Sequence, residues 1–212
     1  MDEKTGLIYY SKLCYKNKFV AATDGNLSIR TGKNSIISTA ANTCKGSIKT
    51  PDIVKCTLKD KAGKPKNARN TKKLSSEIKL HLYIYNKRKD INAVIHTHPR
   101  FATAFAAAGI ALDKIVLPEI YLSMVKIPLA PFAVPSTDEV PASVEKYVDD
   151  NNAILLANHG LVTFASTIKE AYYLTEKAEQ FAEISFYARL LGGEVELTKE
   201  QIQKLDLLKK VN

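Results

Sequence analysis

Ala93-Val94-Ile95-His96-Thr97-His98-Pro99 is the stretch on which the reading of this chain turns. An apolar run, Ala93 to Ile95, reads as a buried strand, and Pro99 marks its end because proline has no N–H for a ladder but suits a first helical turn. Residues two apart on a strand face the same side. The rings of His96 and His98 therefore leave the sheet together and point at one spot. His-x-His also occurs in strands where both rings simply hydrogen-bond to loops, so the pair alone leaves metal binding and packing open. A divalent ion held by imidazoles needs at least one more ligand, and a catalytic zinc commonly has three protein ligands and an open position. The chain has two other histidines, His81 and His159.

Working outward, Ile154-Leu155-Leu156-Ala157-Asn158-His159-Gly160 is a second apolar run that ends at a histidine. A core histidine more often sits inside such a run than at its exit, where a following glycine lets the backbone pass close to a ligand. His159 is thus a stronger partner for the first pair than His81. His81 lies four residues after Glu77, on the same face of a helix, and is assigned to packing or to a supporting hydrogen bond.

With 212 residues and 45% hydrophobic content, the chain is read as one globular domain, 1–212, large enough for a substantial core. Cys14, Cys44 and Cys56 are an odd number without metal-type spacing or a disulfide framework, which favours a reducing, cytoplasmic setting. No apolar stretch approaches a membrane span or a signal-peptide core, so no membrane role is expected. The net charge of +9 is spread over helices and loops, with a loose cluster from Lys59 to Lys73. That distribution argues against a nucleic-acid groove and is suited to attracting anionic, for example phosphorylated, substrates.

Apolar spacing predicts an N-terminal helix over residues 3 to about 17. Strands follow at Asn26 to Arg30, after the Asp24-Gly25 loop, then at Ser35 to Thr39 and Ile53 to Leu58, with a turn at 60–64 and antiparallel hairpins as the natural pairing. Ser75-Ser76-Glu77 is expected to open a helix running to about Lys87, since serine caps first-turn amides and glutamate suits the dipole there. Pro99 to Ala108 reads as an alanine-rich helix stopped by Gly109. The proline-rich stretch from Leu117 to Pro141 is expected mostly to avoid helix, with Ser143 to Asp149 as a further one. Leu161 to Ala165 reads as a returning strand. Thr167 with Glu170, and Thr198 with Gln201, are capping boxes for the last two helices. Hairpins first and interleaved helices later give an α/β sandwich on a mainly antiparallel central sheet flanked by helices.

These residues together resemble the class II aldolase family, which includes L-fuculose-phosphate aldolase and L-ribulose-5-phosphate 4-epimerase and shares its fold with the adducin head domain. The likeness spans nearly the whole length and rests on Gly25-Asn26-Leu27-Ser28, Ser75-Ser76-Glu77, His96-Thr97-His98 and Asn158-His159-Gly160, in the family's order and at its approximate spacings. The resemblance implies that His96, His98 and His159 hold Zn2+ or another divalent metal and that Glu77 is the acid/base residue. A glutamate in a first helical turn otherwise needs no such role. It further implies that Asn26, Ser75 and Ser76 bind a substrate phosphate, although serines at a helix start are also ordinary caps. The family's Thr-Pro-Thr-Gly type loop is here Thr39-Ala40-Ala41-Asn42, which removes one hydroxyl donor and puts asparagine where glycine is usual. Tyr121 is the nearest counterpart of a tyrosine proton donor that the family supplies across a subunit boundary, or else a core tyrosine.

What the resemblance implies of function is a zinc-dependent carbon–carbon lyase of carbohydrate metabolism. It would cleave a phosphorylated ketose to dihydroxyacetone phosphate and an aldehyde through a metal-stabilised enediolate, as a homotetramer with sites at subunit interfaces. The same residues suit a sugar-acid phosphate decarboxylase, to which the altered 39–42 loop adds weight, or a pentose-phosphate 4-epimerase. A non-catalytic, adducin-like interaction module would keep the fold without the metal.

Overall fold

The computed structural model describes residues 1–59 and 72–209; the expected turn at 60–64 lies outside them. In chain order the elements are α1 (Glu3–Lys16), β1 (Asn26–Gly32), β2 (Ser35–Thr39), β3 (Ile53–Thr57), α2 (Ile78–Lys87), β4 (Ala93–Thr97), α3 (Arg100–Ala107) and α4 (Pro118–Ser123). They continue with β5 (Leu129–Ala130), α5 (Glu139–Val148), β6 (Ala153–Leu156), β7 (Gly160–Ala165), α6 (Ile168–Leu190) and α7 (Lys199–Lys209). The strands form one seven-stranded sheet in the order β3-β2-β1-β4-β7-β6-β5. Every pairing is antiparallel except β5 with β6.

Strand alternation sorts the core onto two faces. Leu27, Ile29, Ala93 and Ile95 pack with Leu7 and Cys14 of α1 and with Ala171 and Tyr172 of α6. Ile36, Val54, Val94, Val162 and Phe164 point the other way, onto Leu80 and Ile84 of α2 and Val140 and Val144 of α5. Beneath β6 and β7, Leu155 and Leu161 meet Ala102 and Phe105 of α3 and Phe181 of α6. Each fully buried aliphatic side chain contributes about 1.5–3 kcal/mol, so a one-residue slip of β4 would cost several such terms and carry His96 to the wrong face. The observed register pairs Asn26 with His96 and Ser28 with Val94, which puts His96 on the α2 side.

Three expectations change. Helix α2 starts at Ile78, with Glu77 at its N-cap, because Ser75 spends its hydroxyl on the Glu77 N–H (3.3 Å) in a tight turn. No side chain caps the helix, and the Glu77 carboxylate is drawn elsewhere. The proline-rich stretch also contains helix: Pro118 opens α4, and Pro141 sits in the first turn of α5, which begins at Glu139. Both prolines occupy positions whose N–H would have no intrahelical partner, so neither costs a bond. Of the two predicted capping boxes, Thr198 and Gln201 satisfy both halves. At α6 only Thr167 does so, accepting from the Glu170 N–H, while the Glu170 carboxylate takes the Ser166 hydroxyl instead.

Candidate metal centre and active site

The end of β4 is gripped from both sides by chain that comes unusually close. A Cβ on Gly25, whose φ is +69°, would lie 2.8 Å from the His96 carbonyl oxygen, and one on Gly160 would lie 2.5 Å from that of Thr97. Asn158, at φ +56° in the turn between β6 and β7, is anchored by its N–H to the Ala106 carbonyl. His159 is thereby brought alongside the β4 histidines. His98, just past β4, donates its backbone N–H to Phe19 O at 2.8 Å.

Three imidazoles converge as a result. The Nε2 of His96 lies 3.2 Å from that of His98 and 3.3 Å from that of His159, while the His96 Nδ1 lies 3.0 Å from the Leu161 carbonyl oxygen. A carbonyl only accepts, so Nδ1 carries a proton and Nε2 is the nitrogen turned into the cluster. The Glu77 carboxylate completes the cluster, with Oε2 3.3 Å from His96 Nε2 and Oε1 3.1 Å from His159 Nε2. With their lone pairs turned inward, the three rings and the carboxylate form a donor set that a cation can occupy. Zinc fits the donor set, since Zn–N bonds of about 2.0–2.1 Å at tetrahedral angles separate the nitrogens by about 3.3 Å. His96, His98 and His159 are accordingly a group that could hold a metal ion.

Electrostatics agree with a ligand set. Burial, with His96 and His159 nearby, pushes the His98 imidazole down to about 3, so it is neutral, as a ligand must be. Burial alone would raise the Glu77 carboxyl, but the charge and hydrogen bonds of His96 and His159 outweigh it and hold Glu77 well below the ordinary carboxylate range. Glu77 is therefore ionised at neutral pH.

The residues proposed for phosphate divide. Asn26 is 3% exposed and donates its Nδ2 to Glu77 Oε2 at 2.9 Å, so it orients the carboxylate. Ser76 is exposed at the turn into α2 and accepts from the Ser136 hydroxyl at 2.6 Å. Ser136 escaped the sequence reading, having no motif around it. The 39–42 loop keeps the shape a glycine would allow, because Asn42 adopts φ +54°, a left-handed conformation asparagine tolerates. The substitution thus leaves the backbone turn possible and removes a hydroxyl. Ala41 N–H bonds Lys73 O at 2.9 Å, which sets this loop against the segment leading to the serines.

One further feature, Lys45, was missed, and His81 takes the supporting hydrogen bond expected of it. Lys45, 1% exposed, donates its Nζ to the carbonyls of Thr23 (2.7 Å) and Thr43 (2.9 Å). It staples the loop after β2 to the loop that enters β1, and burial lowers its pKa to about 8. His81 is fully buried, its Nδ1 2.7 Å from the Ser28 hydroxyl, which also meets Tyr85 Oη at 2.9 Å. The signal for this network was present: Asn26, Ser28 and Arg30 alternate as polar residues along a strand whose other neighbours are core. Tyr121 donates its hydroxyl to Asp206 of α7 within the same chain at 2.6 Å.

The fold and site define a class of protein, and the comparisons agree. The class II aldolase and adducin N-terminal domain family model matches residues 5–186, and the chain belongs to that family. It is 35% identical over 184 residues to an L-fuculose phosphate aldolase of Methanococcus maripaludis, covering 86% of this chain and 95% of that one. It is 28% identical over 204 residues to a 5-deoxy-D-ribulose 1-phosphate aldolase of Bacillus thuringiensis, covering 96% and 93%. The solved structure of an L-fuculose 1-phosphate aldolase superposes with a TM-score of 0.86 at 29% identity, covering 98% of this chain and 94% of that one.

Proposed function

We propose that this protein is a metal-dependent aldolase that reversibly cleaves a phosphorylated ketose into dihydroxyacetone phosphate and an aldehyde. The observation that carries the reading is the Glu77 carboxylate lying 3.1 and 3.3 Å from two of three convergent imidazole nitrogens. An interaction module has no need of a partly buried carboxylate set against a cluster of imidazoles. Zinc or another divalent ion bound by His96, His98 and His159 would supply Lewis-acid stabilisation of the negative charge that develops on the substrate oxygens.

The chain's own groups supply the rest. In the cleavage direction a hydroxyl proton is lost, the adjacent carbon–carbon bond breaks, and the electron pair is left on the dihydroxyacetone phosphate fragment, which is then reprotonated. Glu77, ionised and fixed through Oε2 by Asn26, is the acid/base group that takes up and returns a proton. Ser75 and Ser76 form the phosphate side, with Ser136 as a further hydroxyl there, and Asn26 has a second amide hydrogen for the phosphate besides the one it gives Glu77. Assembly as a homotetramer with sites at subunit interfaces is supported by the exposed Phe186, Tyr187, Leu190 and Leu191 on and just after α6. A cytoplasmic setting suits three free cysteines; among the described residues no helix is long and apolar enough to cross a membrane.

The test is a screen of metal-restored protein against phosphorylated and free ketoses and sugar acid phosphates, with products identified. Dihydroxyacetone phosphate release from a phosphorylated ketose is expected. Carbon dioxide release or pentose epimerisation instead would reassign the chemistry on the same residues, and no turnover of any of them would return the chain to the binding-module class.

A further inference from the structure

Beside the metal centre lies an open cleft of about 500 Å³ that has His98 on its wall. Its other polar lining consists of Tyr15, Lys16, Lys18, Arg100 and one acid, Asp24. Asp24 Oδ2 lies 3.9 Å from His98 Nδ1, so the acid faces the ligand imidazole. The three cations are otherwise unengaged: among the described residues, Lys16, Lys18 and Arg100 make no side-chain ion pair or hydrogen bond. Their situation is distinct from that of the other described arginines. Arg88 and Arg189 are paired with Asp90 and Glu194, and Arg30 bonds the Tyr85 carbonyl and covers that residue's ring.

Three free cations against one acid, in a concavity that shares a residue with the metal centre, form a place for a dianion. The phosphate side of the proposed site, at Ser75 and Ser76, is on the turn into α2. The cleft is built instead from the end of α1, the loop after it and the start of α3. We infer that the cleft is a second anion subsite and that the natural ketose carries a second phosphate at its far end. The product aldehyde is then itself phosphorylated. This rests on the aldolase reading, and it makes Lys18 and Arg100 the residues that determine specificity.

The test is calorimetric titration of the metal-loaded full-length protein with ribulose 1-phosphate and with ribulose 1,5-bisphosphate, which differ by one phosphate on the C5 hydroxyl. The bisphosphate is expected to bind about tenfold more tightly, with a preference that shrinks as salt is raised. Arg100→Gln and Lys18→Asn should each bring the ratio toward one; asparagine is chosen at 18 because Lys18 has φ +61°, which asparagine tolerates. Equal affinities in the wild type, no binding of the bisphosphate, or a preference that survives both substitutions would overturn the subsite. Those outcomes leave the aldolase reading standing or falling on the Glu77 and product measurements alone, because neither uses the cleft.

Discussion

Glu77 and His81 sit one helical turn apart on the same side of the sheet, and the two regions around them use the same kinds of residue to opposite ends. Around Glu77, three histidines and an asparagine bring ring nitrogens, an amide and a carboxylate within 2.9–3.3 Å of their neighbours, at a place where His98 and Glu77 remain partly open. Around His81, the ring nitrogen Nδ1 and the hydroxyls of Ser28 and Tyr85 share protons within a fully buried triplet. The first arrangement converges on one point and could hold a metal ion. The second is nearly satisfied and holds β1 against α2. Residue type does not separate a site from a brace; convergence of like-signed groups does.

The sharpest way to break that contrast is to remove a ligand from each side. His96→Ala, His98→Ala or His159→Ala should each abolish stoichiometric metal binding, because one of three protein ligands is lost, while His81→Ala retains it. Metal content of the four purified variants decides this, and a full complement in any of the first three removes that residue from the ligand set.

Next in size is Glu77→Gln, which keeps shape and hydrogen-bonding ability but cannot accept a proton. Turnover should fall by a factor of about 10²–10⁴ with metal retained. Near-normal turnover in a sample of confirmed metal content would leave Glu77 as a helix-start residue and end the mechanism proposed for it.

Acid titration sharpens the other half of the comparison. Burial holds His81 at about 3, well below its ordinary value of 6.5, so the folded protein binds fewer protons than the unfolded chain between those values. Stability from this group is complete above about pH 6.5 and is lost as pH falls toward 3, at up to about 1.4 kcal/mol per unit. His98 is lowered for the same first reason, burial, and adds to the slope in metal-free protein. Denaturant unfolding of the metal-free form at several pH values should show the decline, and His81→Gln should retain only the His98 part.

The smallest expected effect distinguishes geometry from chemistry at the phosphate side. Ser76→Ala should raise KM for a phosphorylated ketose more than for its unphosphorylated analogue, by about 1 kcal/mol for the lost hydrogen bond. Equal changes on both substrates would assign Ser76, with its Ser136 partner, to the fold.

How much was legible in the sequence follows the range of the interactions. Strand alternation and apolar runs are local, so β1, β4 and β7, the exits bearing His96, His98 and His159, and the mainly antiparallel sheet could be read from spacing. So could both glycines at the site, though for Gly160 the close approach is to the Thr97 carbonyl and His98 as well as to any ligand. Proline kept most of 117–141 out of helix, as its chemistry predicts, while Pro118 and Pro141 lie in first turns, where the missing N–H has no consequence.

Other assignments depended on which surfaces meet, and the chain order does not contain that. Asn26 could be placed on a face, but its bond to Glu77 crosses 51 residues. The burial of Lys45 follows from two loops closing over it, and the Tyr121 hydroxyl finds its partner in Asp206 of α7, 85 residues on. The sequence by itself determined the residue types, their strand exits and the face they share, because periodicity is set by backbone geometry within a few residues. Only the tertiary structure decided that three Nε2 atoms and one carboxylate lie 3.1–3.3 Å apart, because that spacing results from packing β4, β7 and α2 against one another and leaves no local trace.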